Sequence, residues 1–359
     1  WFKPSKPKSK PSHRLRQDSH WDNWSSNQVT QSWLNTRWLR SSPLPWEGPS
    51  ASGMTEQDYG CKKKLANRGT LPMLFLNDRL VPFDNAHVCA LDRGYLFGDG
   101  LYAVLMAQQG IILDLAAHFE RLAYQCKCIQ LRDDWSINDW QHAIDQVIVA
   151  NPGHAHHIYC QITRGNYGYR QSTWDTSQSV PPTRLIQATP FTPPTRQYLA
   201  DGFAAIICED PRDQLCHLKS TARQANVLLS QQAKTHGVLE TLLFRDGLLT
   251  EGYSSNVFIV SDNQLCTPPL SRHVLDGVTR ALVLACAESQ HLKTFVGPID
   301  EERVVHADEI WVTGTTKSIC PITTLNGQRV GSGQPGPWWH TMIDLYHDMH
   351  QHQVQGVTP

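Results

Sequence analysis

At Met73 the chain changes texture, and that change limits what can fold. Residues 1–72 show neither the two-residue alternation of a strand nor the 3.6-residue spacing of a helix. They open "WFKPSKPKSKPSHRLR" and hold six of the twelve tryptophans. So much Ser, Pro, Lys and Arg buries too little apolar surface to offset the cost of ordering the chain. The expectation is a disordered or non-native segment over 1–72, outside the folded unit, with Met73 as a plausible start. A basic, Trp-interleaved arm for nucleic acid and a transit peptide, since the first acid is Asp18, are the other readings of this stretch.

From Met73 onward the patterns are regular. "MLFLNDRLVPF" predicts two short strands around an Asn77-Asp78 turn, and "LYAVLMAQQGIILD" a second pair around Gln108-Gln109-Gly110. Helical stripes run over 115–129 and 137–149, followed by a strand at 157–163. The proline-rich "TPFTPPTR", 189–196, reads as an interdomain linker. Beyond it come the strand "GFAAIICED", a helix after Lys219, and the hairpins "ETLLFRDGLLTEG" and "SNVFIVSDNQLCTPP". A helix over 277–288 and a strand over 309–313 complete the pattern. Hairpin strands mixed with helices predict an α+β protein of two domains. The expected bounds are a small α+β domain at 73–188, the linker at 189–196, a larger domain at 197–350 and a C-terminal tail at 351–359.

A formal charge of −1 over 359 residues gives no general electrostatic grip on nucleic acid or an anionic membrane. No apolar run is long enough to span a bilayer. The ten cysteines are scattered, and Cys126 and Cys128 fall two apart within a helical stripe, facing different sides. That spacing is neither a zinc knuckle nor a disulfide framework, so reduced thiols, a cytoplasmic location and no metal are expected.

Four places can carry chemistry. Lys219 lies between a strand and a helix, with no acidic neighbour in sequence closer than Asp213. Glu251 ends an apolar strand and precedes Gly252, Ser254, Ser255 and Asn256. Gly277, Val278 and Thr279 open a helix, whose first N–H groups and positive dipole end suit a phosphate. Thr313, Thr315 and Thr316 close a strand with small hydroxyls that could complete such a cradle. Alone, Thr279 also suits a plain helix cap and Gly-Thr-Thr a plain turn.

The motifs "LDRGYLFGDGLYAV", "HFERL", "ITRG", "HLKS", "LTEGYSSNVF", "LDGVTR" and "VTGTTKSICPI", in that order, resemble the class IV, or fold-type IV, pyridoxal-phosphate aminotransferases. The resemblance runs from Met73 to about residue 350 and is strongest to bacterial D-amino acid transaminases. It implies pyridoxal 5'-phosphate as cofactor, held by the larger domain, and a homodimer. Lys219 would be the Schiff-base lysine and the proton carrier. Glu251 would pair with the pyridine nitrogen. Arg121, the Val278 and Thr279 amides, Thr315 and Thr316 would hold the phosphate. Tyr102 would line the substrate side, with Arg170 as the carboxylate trap.

Two departures from the family pattern stand out. Ala103 occupies a position that usually carries an acid. Arg170 lies one place late in the expected Arg-x-His trap, and Gln171 stands where the histidine would be. The activity implied is a ping-pong transamination of D-amino acids, converting D-alanine and 2-oxoglutarate to pyruvate and D-glutamate. The alternatives on the same scaffold are aminodeoxychorismate lyase, for 4-aminobenzoate synthesis, and branched-chain aminotransferase. From another class, a non-enzymatic protein could keep the scaffold and bind nucleic acid through its tail. The joint presence of Lys219, Glu251 and Arg121 argues against that.

Overall fold

In the computed structural model, residues 72–356 are described, and all of them lie in one compact unit. The segment expected to be disordered therefore falls, apart from Pro72, outside the described residues.

The first part of the chain builds an antiparallel sheet from β1 (Met73–Leu76), β2 (Arg79–Pro82), β3 (Gly100–Gln108), β4 (Ile111–Ile112), β5 (Ala155–Thr163) and β6 (Thr183–Pro190). Their order is β2-β1-β6-β5-β3-β4. The two expected hairpins are present, with Asn77 (φ 60°) and Gln109 (φ 52°) in left-handed turn positions. Strand alternation decides the faces. Leu101, Ala103, Leu105 and Ala107 of β3 join Ile158, Cys160 and Ile162 of β5 in one core. The helices Leu115–Cys128 and Ile137–Ala150 add Phe119, Leu122, Trp140 and Ile144 to it. A reciprocal capping box between Ser136 and Asp139 starts the second helix, a device that contributes on the order of 1 kcal/mol. Tyr102 and Tyr159 point to the opposite face and stack at 5.5 Å.

The second sheet contains β7 (Phe203–Glu209), β8 (Glu240–Arg245), β9 (Leu248–Gly252), β10 (Asn256–Ser261), β11 (Gln264–Thr267), β12 (Thr294–Val296), β13 (Glu309–Gly314), β14 (Ser318–Leu325) and β15 (Gln328–Arg329). The order is β12-β11-β10-β13-β14-β7-β8-β9, with β15 beside β14. Parallel pairs (β7–β8, β7–β14, β11–β12) join the antiparallel hairpins. Its core holds Phe258, Trp311 and, from the helices Val278–Ser289 and Pro337–Gln355, Val283, Trp339 and Met342.

Three boundaries differ from expectation. Pairing with β5 carries β6 through Thr189 and Pro190, and Arg196 already begins a short helix capped by Thr195. The irregular connection is thus 191–195. Residues 351–355 continue the last helix, so the expected tail boundary at 350 falls inside it. That helix places Trp339, Met342, Ile343, Tyr346 and His350 along one buried stripe, and packing of that stripe keeps it helical past residue 350.

Candidate active site

The Lys219 loop links the two sheets. Its backbone is stitched to the start of β3: Tyr102 N donates to Lys219 O (2.9 Å), and Thr221 N to Gly100 O (3.0 Å). Gly98, in the left-handed conformation (φ 65°), allows this approach, because a Cβ there would stand 2.8 Å from the Ala222 Cβ. Gln125, buried on the helix Leu115–Cys128, clamps the loop from the other side. It donates to His217 O (2.8 Å) and accepts from Lys219 N (3.2 Å).

The Lys219 ammonium position lies 4.7 Å from the Tyr102 ring centroid. No carboxylate forms an ion pair with it among the described residues. Burial therefore pulls its pKa down, the Arg121 charge adds to the effect, and Glu251 opposes it, leaving a value of about 7. A substantial fraction of this amine is neutral at neutral pH.

Glu251 sits buried on β9 and pairs with Arg212. It also accepts from Leu275 N (2.8 Å) and Asn256 Nδ2 (3.4 Å). Burial raises its pKa overall, and Arg212 and the Leu275 N–H counter part of that rise. Every group bonded to the carboxylate is a donor, and that environment favours the ionised form. Arg212 is itself held by Asp210 in a two-pronged pair, Nε–Oδ1 2.9 Å and Nη2–Oδ2 2.8 Å.

Arg121 reaches from the first sheet's helix to the second lobe. Its Nη1 donates to Asp276 O (2.8 Å), directly before Gly277 and the helix Val278–Ser289. Nη2 lies 3.4 Å from His118 Nδ1. Burial, with the Arg121 charge, lowers the His118 pKa to about 3, so this imidazole is neutral and accepts from the guanidinium. Gly277 caps the helix without any side-chain hydrogen bond, which leaves the Val278 and Thr279 N–H groups uncapped by a side chain. A Cβ on Gly277 would meet Asn256 Oδ1 at 2.0 Å, so only glycine brings the helix start this close to the Glu251 network. Thr315 and Thr316 lie half-buried in the β13–β14 turn, and β13 pairs Thr313 opposite Asn256. The Thr313 hydroxyl is buried without a hydrogen-bond partner.

The structure thus brings Lys219 and Tyr102 together, and Arg121 with the Val278–Thr279 turn. Arg170 is different. It is exposed, and its guanidinium lies 5.3 Å over the Phe97 ring, with no contact to Lys219 or Tyr102. Its loop is instead held by Arg93, which donates to Gln171 O (2.6 Å) and Ser172 O (2.8 Å). Sequence reading missed Gln125, Arg212, Asp210 and Arg223; the last lies 5.1 Å over the same Tyr102 ring. An "E-D-x-R" run ahead of Lys219 was the available signal for the Asp210–Arg212 pair.

A phosphate-bearing aldehyde fits these residues. An uncapped helix start with an arginine beside it suits the phosphate, and an unpaired amine suits the aldehyde. An acceptor-only carboxylate faces that amine electrostatically.

Residues 100–325 match the family model described as amino-transferase class IV. The D-alanine aminotransferase of Bacillus licheniformis is 31% identical over 264 residues, which cover 74% of this chain and 92% of that protein. The D-alanine aminotransferase of Staphylococcus haemolyticus is 30% identical over 264 residues, covering 74% and 93%. Among solved structures, the Escherichia coli branched-chain amino acid aminotransferase superposes with a TM-score of 0.70 at 21% identity, covering 81% of this chain and 96% of that one. The branched-chain aminotransferase of Thermoproteus uzoniensis gives 0.71 at 23% identity, with 80% and 97% covered. At such identities these two speak for the fold.

Proposed function

Because the chain belongs to the class IV aminotransferases, enzymes that depend on pyridoxal phosphate, we propose that it transfers amino groups from D-amino acids to 2-oxo acids. The reaction proposed is D-alanine with 2-oxoglutarate giving pyruvate and D-glutamate, in two ping-pong halves. The observation that carries the D-specific part is the 30–31% identity to D-alanine aminotransferases along nearly their whole length.

When bound, the cofactor supplies an electron-poor ring that takes up the electron pair left at the substrate Cα. This chain's residues hold it and move the proton. Lys219, neutral in part at pH 7, would take the Cα proton and return it to the cofactor carbon on the far side of the substrate nitrogen. Glu251, whose ionised form Arg212 and the Leu275 N–H favour against burial, would pair with the pyridine nitrogen and favour its protonated form. Arg121, the Val278 and Thr279 amides, and the Thr315 and Thr316 hydroxyls take the phosphate. Tyr102 forms the wall against which Lys219 and the substrate lie.

We also read the enzyme as a homodimer. Tyr95, Leu215, Val227 and Leu228, on elements flanking the Lys219 loop, leave apolar side chains exposed, and a second copy would cover them. No helix among the described residues is long and apolar enough to cross a membrane. The nine described cysteines are free, in keeping with a cytoplasmic location.

A donor screen with D- and L-enantiomers tests the reading. D-Alanine should far exceed L-leucine and L-valine. Activity confined to branched-chain L-amino acids overturns D-specificity, and pyruvate release from aminodeoxychorismate without transamination assigns the lyase instead.

A further inference from the structure

Substrates of an aminotransferase carry an α-carboxylate one bond from the carbon on which Lys219 acts, so a cation free to bind it must lie close by. Five cationic side chains are relevant: three are committed, and a fourth, Arg170, lies away from Lys219 within its own chain. Arg121 donates to Asp276 O beside the Val278 helix start. Arg212 is locked between Asp210 and Glu251. Lys317 donates to Glu240 Oε2 (2.8 Å) and Ser254 Oγ (2.9 Å). Arg170 is exposed and lies on Phe97.

Arg223 is the exception. It is half-buried, four residues after Lys219, at the start of the helix Gln224–Thr235. Its guanidinium lies 5.1 Å from the Tyr102 ring centroid, the ring that Lys219 Nζ approaches at 4.7 Å. Its backbone N–H donates to Thr221 O, but its side chain makes no hydrogen bond or ion pair among the described residues. A half-buried guanidinium with five donors and no acceptor is an incomplete arrangement. A carboxylate completes it with two parallel hydrogen bonds.

We propose that Arg223, rather than Arg170, binds the α-carboxylate of the amino-acid and 2-oxo-acid substrates. The proposal rests on the aminotransferase reading above and names a substrate contact within it. Placing the cation on the Lys219 loop limits its distance from the reacting amine, because Lys219 and Thr221 are stitched to the start of β3 through Tyr102 and Gly100, and the Arg223 N–H donates to Thr221 O. It also accounts for Gln171 at the place of the family's usual trap histidine: a trap served from another element needs no partner there.

The test uses the holoenzyme and the variants Arg223→Gln, Arg223→Lys and Arg170→Ala. KM and kcat are measured with D-alanine and with D-glutamate, and the affinity for propionate, an unreactive monocarboxylate, by calorimetry. Arg223→Gln should raise both KM values and weaken propionate ~10- to 100-fold, with kcat changed much less. Arg223→Lys should recover part of the loss, and Arg170→Ala should leave propionate binding near that of the parent. Thermal melting and far-UV circular dichroism report whether each variant is folded, and Arg223→Lys keeps the test open should the glutamine variant not fold. Unchanged propionate affinity and KM in Arg223→Gln overturn the proposal. So does a loss confined to D-glutamate, which would place Arg223 on a side-chain carboxylate. A parent enzyme that transaminates no amino acid sinks the proposed function instead, while propionate binding still reads Arg223 independently.

Discussion

Lys219 and Lys317 are both half-buried lysines on turns, and they titrate in opposite directions. Burial lowers the pKa of each. For Lys219 nothing reverses this: the Arg121 charge adds to it and Glu251 offsets it only in part, giving about 7. For Lys317 the Glu240 carboxylate at 2.8 Å more than compensates burial, and its pKa rises. Enclosure by itself does not make a reactive amine. The absence of a contacting carboxylate does. One lysine is arranged as a reagent. The other is a strut that ties the β13–β14 turn to β8.

The sharpest test of that contrast is Lys219→Ala. It should abolish transamination and the visible absorption of lysine-bound cofactor while leaving the fold intact, because the Lys219 backbone bonds to Tyr102 and Gln125 survive the change. Persisting lysine-bound absorption, or a globally unfolded variant, would refute the assignment. Next in size is Glu251→Gln. The amide cannot face a ring nitrogen as an anion, and it sets an NH₂ against Arg212 or Leu275 N–H. Cofactor should still bind, with turnover at least ~100-fold slower, a loss of about 3 kcal/mol in transition-state stabilisation. Turnover near that of the parent would make Glu251 a structural residue only.

How much of this contrast could be read from sequence depends on range. The strand end at Glu251 and the helix start at Gly277 are local patterns, each within a residue or so of its expected place, and Lys219 lies between a strand and a helix as expected, the helix starting at Gln224. What separates the two lysines is not local. Glu240 lies 77 residues before Lys317, and Arg212 lies 39 before Glu251, so strand order and register decide those pairs. Strand β6 was hidden for another reason. Its buried Arg184, Ile186 and Ala188 alternate as a strand should, but flanking prolines at 181, 182 and 190 give a linker-like composition. The last helix was legible in principle. Trp339, Met342, Ile343 and Tyr346 follow helical spacing, yet four histidines between 340 and 352 blur the amphipathic contrast. Arg170 was named from a motif, and within its own chain the loop geometry sets its guanidinium over Phe97.

A smaller effect comes from pH. With a pKa near 7, the neutral fraction of Lys219 in the cofactor-free protein falls as pH drops through that value. The initial rate of uptake of pyridoxal, which lacks the phosphate whose own titration would overlap, should fall about tenfold per pH unit below 7 and level off above it. A rate that keeps climbing to pH 10 would mean that Lys219 titrates like an ordinary lysine, and the contrast with Lys317 would vanish.

The smallest effect on chemistry is expected at Lys317 itself. Lys317→Met removes the charge paired with Glu240 but keeps an unbranched apolar side chain beside Tyr253, whose ring the ammonium now approaches at 4.8 Å. Glu240 would keep three donors: Ser255 Oγ (2.7 Å), Thr241 N (3.0 Å) and Tyr253 N (3.0 Å). Breaking a buried pair costs ~3–5 kcal/mol, and these remaining bonds set the expectation at the lower end, ~3 kcal/mol. For a unit of this size that corresponds to a fall in Tm of roughly 5–10 °C. Turnover at saturating cofactor, measured well below the new Tm, should stay within ~threefold of the parent, because the lost interaction is the same before and during the reaction. A Tm that does not move would show that the Glu240 pair contributes nothing to stability. A loss of turnover approaching that of Glu251→Gln would show that Lys317 takes part in the chemistry, and the division between reagent and strut would have to be redrawn.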